Sequence, residues 1–213
     1  ATGGILFLDE FPEFSRAALE TLRQPLEERE VTVSRVEASV TYPANFQLVA
    51  AMNPCPCGHF PDRSRCRCTE GQITRYLQKV SGPMLDRIDI CVEAAPITYG
   101  DIKSSGNNES SREIRARVEQ ARKIQRERFA GENVRCNGEM SGRHIRKFCG
   151  LGREEEKFME EIFEKLALSA RMHDRILKVA RTTADLAEEE KIRLADLCEA
   201  VSYVKSRDKF WGN

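Results

Sequence analysis

The sequence predicts an α/β protein in which a parallel-sheet segment with an inserted β-hairpin is followed by an all-helical segment. Short continuous apolar runs at 5–8 and 46–51 are typical of strands that are buried on both faces of a parallel sheet. From about residue 111 onward, the apolar residues recur instead at the spacing of helices. The expected division therefore places a sheet-containing domain at 1–96 and a helical domain at 97–213.

The composition restricts the classes of partner. The chain carries 34 basic and 34 acidic residues in 213, so a nucleic-acid site, if there is one, must be local. No apolar run approaches the roughly 18 residues of a membrane span. Eight cysteines without secretory features favour metal or redox chemistry in a reducing compartment over disulfides. We therefore expect a cytoplasmic protein with no membrane partner.

The first strand runs directly into two acids, Asp9 and Glu10. Open α/β sheets bind ligands at the carboxyl ends of their strands, and this pattern has the form of a Walker B element. Asp9 would hold Mg²⁺, while Glu10 would polarise a water for attack on the γ-phosphate of ATP. The alternative is a buried strand that ends in an acidic turn. Because the chain contains no G-x-x-x-x-G-K-[ST] loop, we interpret it as the C-terminal part of an ATPase, starting just upstream of Walker B.

A helix and a hairpin are expected next. The helix covers 15–24, and Pro25 should kink or end it. The β-prone runs 31–34 and 38–42 predict a hairpin, and Arg35 near its tip is the best candidate for a contact with DNA phosphates.

The strand at 46–51 leads to a polar residue, Asn53. Its amide could hydrogen-bond the attacking water or the γ-phosphate. Alternatively, Asn53 before Pro54 is an ordinary strand terminator.

A third candidate is Arg87, which stands between Asp86 and Asp89 before a predicted strand with alternating apolar residues at 88, 90 and 92. Donated to the ATP of a neighbouring subunit, its guanidinium would stabilise the charge that develops on the phosphoryl group. The alternative is a surface ion pair with one of the two aspartates.

Four cysteines crowd into a short loop after the second strand: Cys55, Cys57, Cys66 and Cys68. Four thiolates can surround Zn²⁺ in a structural tetrahedral site. Interleaved arginines would lower the pKa of these thiols. The alternative is a loop of reduced or partly oxidised cysteines without metal.

Capping boxes open two helices, one with Thr69 and Gln72 and the other with Ser110 and Glu113. The second helix, 112–128, carries charges of both signs, which usually indicates a solvated face with i,i+4 pairing, so we interpret it as structural. Further helices are expected at 154–167, 170–188 and 194–205.

The order of these motifs resembles the AAA+ clade that holds magnesium chelatase and MCM helicases. Walker B is followed by a helix, a hairpin, a strand ending in Asn and Leu-Asp-Arg-Ile-Asp. The finer resemblance is to the Mg chelatase-like ComM family of bacteria, and it lies in the stretches 51–58, 66–68, 81–89, 169–171 and 175–182.

The resemblance implies a truncated AAA+ core followed by a helical lid, in a hexameric ATPase motor that acts on DNA by branch migration. By position, Asp9 and Glu10 are then the Walker B acids, Asn53 is sensor 1 and Arg87 is the arginine finger. ATP and Mg²⁺ are the implied cofactors. This chain alone is expected to lack ATPase activity.

The lid would contribute a sensor 2 arginine, for which the resemblance implies Arg171, with Arg175 one turn later as the second choice. Two other functions remain open. One is the ATPase subunit of a magnesium chelatase acting on a protein partner. The other is a non-enzymatic regulatory or folding module. The C-x-C pairs and the run at 180–186 favour the DNA motor.

Overall fold

A computed structural model describes residues 2–34, 38–95, 97, 99–103 and 109–211, which form two compact units. The first unit comprises residues 1–89 with 207–213, and the second comprises 90–206. The strands are β1 (Ile5–Leu8), β2 (Glu30–Ser34), β3 (Ser39–Pro43) and β4 (Gln47–Ala50). The helices are α1 (Arg16–Thr21), α2 (Arg23–Glu28), α3 (Glu70–Leu77), α4 (Gly82–Leu85), α5 (Tyr99–Lys103), α6 (Ser111–Arg128), α7 (Gly142–Phe148), α8 (Arg153–Lys165), α9 (Ala170–Leu186) and α10 (Leu194–Trp211). The domain division at residues 96 and 97 remains a prediction.

The predicted fold class is confirmed, with a small parallel sheet near the start of the chain and a helical C-terminal region. Strands β1 and β4 pair in parallel, with Leu6 opposite Leu48 and Leu8 opposite Ala50. Leu8 and Leu48 pack against a core cluster that includes the buried Phe11. The two strands therefore end side by side at one edge of the sheet, since parallel strands share their carboxyl ends.

The predicted hairpin is also confirmed. Strands β2 and β3 are antiparallel, with Thr32 opposite Thr41 and Val33 opposite Val40. Because strand side chains alternate between faces, hydroxyls line one face, where Thr32 and Thr41 lie 3.0 Å apart through their Oγ1 atoms. Arg35, the predicted DNA contact, lies outside the described residues.

The helix expected over 15–24 is two short helices, α1 and α2, that meet at Leu22. Pro25 lies in the first turn of α2, where its missing N–H costs nothing because the first N–H groups of a helix have no partner within it. Pro25 was expected to kink or end the helix: the helix is interrupted at Leu22, in the turn before Pro25, as a kink requires, but it does not end at Pro25. Both capping boxes are confirmed, at Thr69 with Gln72 and at Ser110 with Glu113.

The strand predicted from the alternation of residues 88, 90 and 92 is wrong, because these residues have no regular secondary structure. Ile90 and Val92 are exposed, at 51% and 69%. A strand needs a partner for its backbone groups as well as an apolar face, and no strand pairs with this segment within the part of the chain that the structure describes.

The second unit has one large apolar core. It is built mainly from α7, α8, α9 and α10, with Ile176, Ala180 and Leu197 almost fully buried at its centre. The amphipathic pattern of α9 places Ile176 and Ala180 on one side of that helix, and Leu197 is a buried residue of α10. Among the described residues, no helix has both the length and the apolar character needed to cross a membrane.

Candidate functional site

The two predicted Walker B acids lie at the carboxyl end of β1 and are exposed. Oδ1 of Asp9 accepts the backbone N–H of Glu10 at 2.8 Å. Glu10 has a left-handed backbone, with φ 51° and ψ 43°, which L-residues other than Asn and Asp adopt rarely. The backbone bonds from Ala51 N to Leu8 O and from Phe11 N to Ala51 O hold the chain on both sides of it. The turn is therefore fixed by β4, and both carboxylates face solvent.

Asn53 follows β4, so the sheet brings it to the same edge as Asp9 and Glu10. Its backbone N–H acts to lower the pKa of the Tyr76 hydroxyl in α3, and a Cβ added at Gly58 would lie 3.6 Å from Asn53 Oδ1. Burial, and next the carboxylate of Glu13, raise the pKa of Tyr76, so the phenol stays protonated. Asn53 thus lies near α3 and beside the cysteine loop. Tyr76 was not singled out in the sequence, where its spacing with Ile73 and Leu77 indicates only a helix face.

Arg87 pairs with a residue that the sequence did not suggest. Its Nη2 lies 2.6 Å from Oε1 of Glu27 in α2, and its side chain is 9% exposed. Its Nη1 also donates to the carbonyl of Pro83, and its Nε is buried without a hydrogen-bond partner among the described residues. In this structure the guanidinium is therefore held within the first unit. A role as an arginine finger stays a prediction, and it requires the pair with Glu27 to open.

The two lid arginines lie near the start of α9, in the second unit. Arg171 is exposed in the first turn, whereas Arg175 is 9% exposed and belongs to the buried residues of the helix. They belong to the second unit, whereas Asp9, Glu10, Asn53 and Arg87 belong to the first.

The four clustered cysteines come together as the sequence predicted. Their sulfur atoms all lie within 4.8 Å of one another. The separations are 3.4 Å for Cys55 and Cys57, 3.6 Å for Cys57 and Cys66, and 3.8 Å for Cys55 and Cys66. Tetrahedral Zn–S bonds of about 2.3 Å place sulfur atoms about 3.8 Å apart. The four thiols therefore could hold a metal ion with little movement.

Backbone N–H groups contribute more than arginine side chains to the lowered pKa of Cys57. The N–H groups of His59 and Arg67 lower the pKa of Cys57 to about 6. Burial raises the pKa of Cys68 to about 12. Among the interleaved arginines, Arg63 pairs with Glu70. The sequence predicted that arginine charge lowers the pKa of these thiols, but the pKa is lowered only for Cys55 and Cys57, and burial raises it for Cys66 and Cys68.

The sequence also gave no sign of a buried polar network in the second unit. Asp185 is fully buried, and its Oδ2 accepts from Arg128 Nη1 and from Asn137 Nδ2, each at 2.7 Å. Arg181 Nε donates to Asp185 Oδ1 at 3.1 Å. Only the i,i+4 spacing of Arg181 and Asp185 was visible as a local signal. The network connects α6, α9 and the 3-10 turn at Asn137–Glu139.

Two family models match the chain. One describes the magnesium chelatase subunit ChlI and covers residues 1–102; the other describes the C-terminal part of that subunit and covers residues 108–204. Together they span both compact units.

The chain is also similar to curated bacterial proteins. It is 45% identical over 204 residues to competence protein ComM of Haemophilus influenzae, and 43% identical over 205 residues to the uncharacterized protein YifB of Salmonella typhimurium. It is 38% identical over 200 residues to the uncharacterized protein Rv2897c of Mycobacterium tuberculosis. These matches cover 94–95% of this chain and 39% of each relative.

Proposed function

This chain belongs to the Mg chelatase-like AAA+ family that includes ComM, and from that premise we propose that it supplies the catalytic acids and the lid of an ATP-driven DNA motor. The observation that carries the proposal is the pairing of β1 with β4. It puts Asp9, Glu10 and Asn53 at one sheet edge, where parallel α/β sheets bind ligands. The motor is proposed to be a ring hexamer in the cytoplasm, with branch migration of DNA as its activity.

Each residue at this edge has a chemical task in the proposal. Oxygen ligands suit Mg²⁺, and Asp9 is a carboxylate already fixed by the N–H of Glu10, so Asp9 would hold the ion. Bound Mg²⁺ would neutralise charge on the phosphates of ATP. Glu10 would orient a water and accept its proton, and the Asn53 amide would hydrogen-bond that water or the γ-phosphate.

Arginines would complete the site. Arg87, once released from Glu27, would reach the nucleotide of a neighbouring protomer and stabilise charge in the transition state. Arg171, with Arg175 as the second choice, would couple the lid to the nucleotide state.

ATP turnover by the protein that joins this chain to a P-loop segment tests the proposal. We expect Glu10→Gln to lower kcat by at least about a hundredfold, because water activation is lost, while ATP binding remains. The matched control is Glu13→Gln, which changes a glutamate one helical turn further along the chain. Unchanged turnover in Glu10→Gln would contradict the assignment. The 213-residue chain alone is expected to show no turnover.

The description of the matching family model favours one second candidate, the ATPase subunit of a magnesium chelatase acting on a protein partner. Branched DNA separates the two functions. We expect it to raise the ATPase rate of the motor several-fold, whereas a chelatase subunit should ignore DNA. A non-enzymatic module would not bind nucleotide at all. Arg35→Ala tests the proposed hairpin contact in the same assay.

For the cysteine cluster we propose a structural zinc site formed by Cys55, Cys57, Cys66 and Cys68. The sulfur separations fit a tetrahedral ion, and the N–H of Phe60 donates to the Cys55 sulfur at 3.4 Å, as suits a thiolate ligand. With four protein ligands, no position is open for catalysis.

Metal analysis of the purified chain tests the zinc site. We expect a stoichiometry near one zinc per chain, which Cys57→Ser abolishes. Ser at Cys136, an exposed cysteine outside the cluster, is the matched control and should leave the zinc in place. A metal-free chain with four titratable thiols in the cluster would contradict the proposal.

A further inference from the structure

One face of α6 carries cations that form no ion pair with any acid in the described part of the chain. The helix contains six arginines and one lysine. Two of the arginines have acidic partners, since Arg117 pairs with Glu109 and Arg128 with Asp185. The other five cations are exposed and make no ion pair among the described residues: Arg112, Arg115, Arg122, Lys123 and Arg126. We call these five residues the α6 stripe.

The stripe follows one side of the helix. Residues 112, 115, 122 and 126 recur at intervals that keep side chains on one face, and residue 123 lies beside them. Ala121 and Gln125, which are buried, lie on the opposite face. At 1.5 Å per residue, the stripe is about 21 Å long. It is therefore a straight, rigid row of positive charge that the packing of α6 leaves in solvent.

The pairing expected from the sequence does not form. Glu119 and Glu127 stand at i,i+4 positions from stripe cations, yet neither makes an ion pair within the described part of the chain. The helix dipole does not account for the row either. It favours cations in the last turn, which suits Arg126, but disfavours them in the first turn, where Arg112 lies. Like charges one turn apart, such as Arg122 and Arg126, repel each other.

We propose that the α6 stripe binds the phosphate backbone of duplex DNA, an inference that rests on DNA being the partner in the proposed function. Duplex DNA presents one negative charge per about 1.7 Å of its axis, so a straight row of about 21 Å can face several phosphates at once. Four of the five cations are arginines, whose planar guanidinium binds phosphate in a bidentate manner. Such contacts carry no sequence information, and they position the protein on DNA of any sequence.

An anionic membrane surface fits the stripe less well. Amphipathic helices that lie on membranes combine basic residues with large apolar and aromatic anchors. The exposed apolar residues of α6 are Ile114 and Val118, at 43% and 40%, and the helix has no aromatic residue.

Binding of the 213-residue chain to a short fluorescent DNA duplex, measured by anisotropy without nucleotide, tests the proposal. In the test variant, residues 115, 122 and 126 are changed together from Arg to Glu. The matched control reverses three exposed cations of the same unit that lie outside α6: Arg153→Glu, Lys157→Glu and Lys191→Glu. Circular dichroism checks that each variant is folded, and an Arg-to-Gln version of the test variant replaces one that is not.

We expect the test variant to weaken binding by at least about tenfold and to reduce the slope of log K against log salt by about 2–3, as expected for the loss of three phosphate contacts. The control should change the affinity less than about threefold and leave the slope unchanged. Equal losses of DNA affinity in the test and control variants would mean that net charge alone explains the effect, and would overturn the proposal. So would the absence of DNA binding, or binding to phosphatidylserine vesicles without binding to DNA.

Because no ATP is present, the result does not depend on catalysis. If turnover fails in the P-loop-containing protein while the stripe still governs DNA binding, the catalytic assignment fails and the stripe stands. If turnover depends on the assigned residues but the stripe variant binds DNA as well as the control variant does, the stripe proposal fails and the catalytic assignment stands.

Discussion

The two units each gather polar side chains in their interior, but they balance the charge differently. In the first unit, four thiols converge, and in the proposed zinc site a cation from solution would balance their charge. In the second unit, the buried carboxylate of Asp185 is balanced by two arginines of the same chain, Arg128 and Arg181. With zinc bound as proposed, the first arrangement would make folding depend on a ligand, whereas the second needs only the residues of the chain itself. This comparison predicts which unit responds to which change.

Metal removal should have the largest effect and should be confined to the first unit. Structural zinc sites contribute apparent binding energies of about 10–16 kcal/mol in small peptides, so we expect a chelator or Cys55→Ser to abolish the first unit's cooperative unfolding. Hydrogen exchange measures the stability of each unit separately, through the protection of its backbone N–H groups. Protection should fall in residues 52–77 and persist in α9. A loss of protection throughout both units would show that the comparison is wrong.

The substitution Asp185→Ala should be the most damaging change in the second unit. It leaves the buried guanidinium of Arg181, the partly buried guanidinium of Arg128 and the Asn137 amide without their shared acceptor, at a cost of about 3–5 kcal/mol in the free energy of unfolding. Urea denaturation followed by circular dichroism checks this. Glu189→Gln, which removes an exposed partner of Arg193, is the control and should cost less than about 1 kcal/mol.

The Arg87–Glu27 pair should give a smaller effect. Glu27 is 39% exposed, so Glu27→Gln should destabilise the first unit by only about 1 kcal/mol. In the P-loop-containing protein the same change frees Arg87, and the proposed finger role predicts that ATP turnover is kept or raised. A fall in turnover as large as the one caused by Arg87→Ala would instead indicate that the active conformation contains the Arg87–Glu27 ion pair.

Helix capping gives the next smaller effect. Ser110 accepts the N–H of Glu113 at the start of α6, so Ser110→Ala should cost about 1 kcal/mol. Thr69→Ala removes the corresponding cap of α3 in the first unit. The two variants should lose similar stability in metal-loaded protein. Once the metal is removed, the first unit is expected to be unfolded, so Thr69→Ala should have no further effect. Thermal unfolding of both variants with and without chelator provides the measurement.

The smallest effect expected is a loss of stability in acid. Hydrogen bonds from Lys147 to Glu132 and from Arg117 to Glu109 lower the pKa of each glutamate. A pKa that is lower in the folded state gives stability that is present above the ordinary glutamate pKa of about 4.3 and is lost as the pH falls below it. Glu132→Gln should flatten the acid side of the stability profile slightly. An unchanged profile would mean that these exposed pairs are fully screened.

The sequence predicted the features that depend on neighbouring residues. Thr69 with Gln72 and Ser110 with Glu113 form capping boxes because each pair lies within one helical turn. The β1–β4 pairing was also within reach, since an apolar run that ends in a polar residue marks a strand whose carboxyl end is exposed. The expectation that these strands are buried on both faces is wrong, because Ile5 and Phe7 are 63% and 59% exposed.

Long-range partners could not be read from the sequence. The alternative to the arginine-finger role of Arg87 was an ion pair with a neighbouring aspartate, but the partner found, Glu27, is sixty residues earlier in the chain. The alternation at 88, 90 and 92 indicated a strand, yet alternation does not supply the second strand that would satisfy its backbone. The Asp185 network likewise joins residues far apart in the sequence, and each of them alone resembles an ordinary helix-surface residue.

The left-handed turn at Glu10 sets stability against the proposed chemistry at a single position. A non-glycine residue there costs on the order of 1 kcal/mol, and glycine would relieve it. Glycine would also delete the carboxylate that is proposed to activate water. Selection for thermal stability alone would therefore favour glycine here and give a more stable protein without the proposed turnover. An acid retained at this turn across evolved variants would indicate selection for turnover.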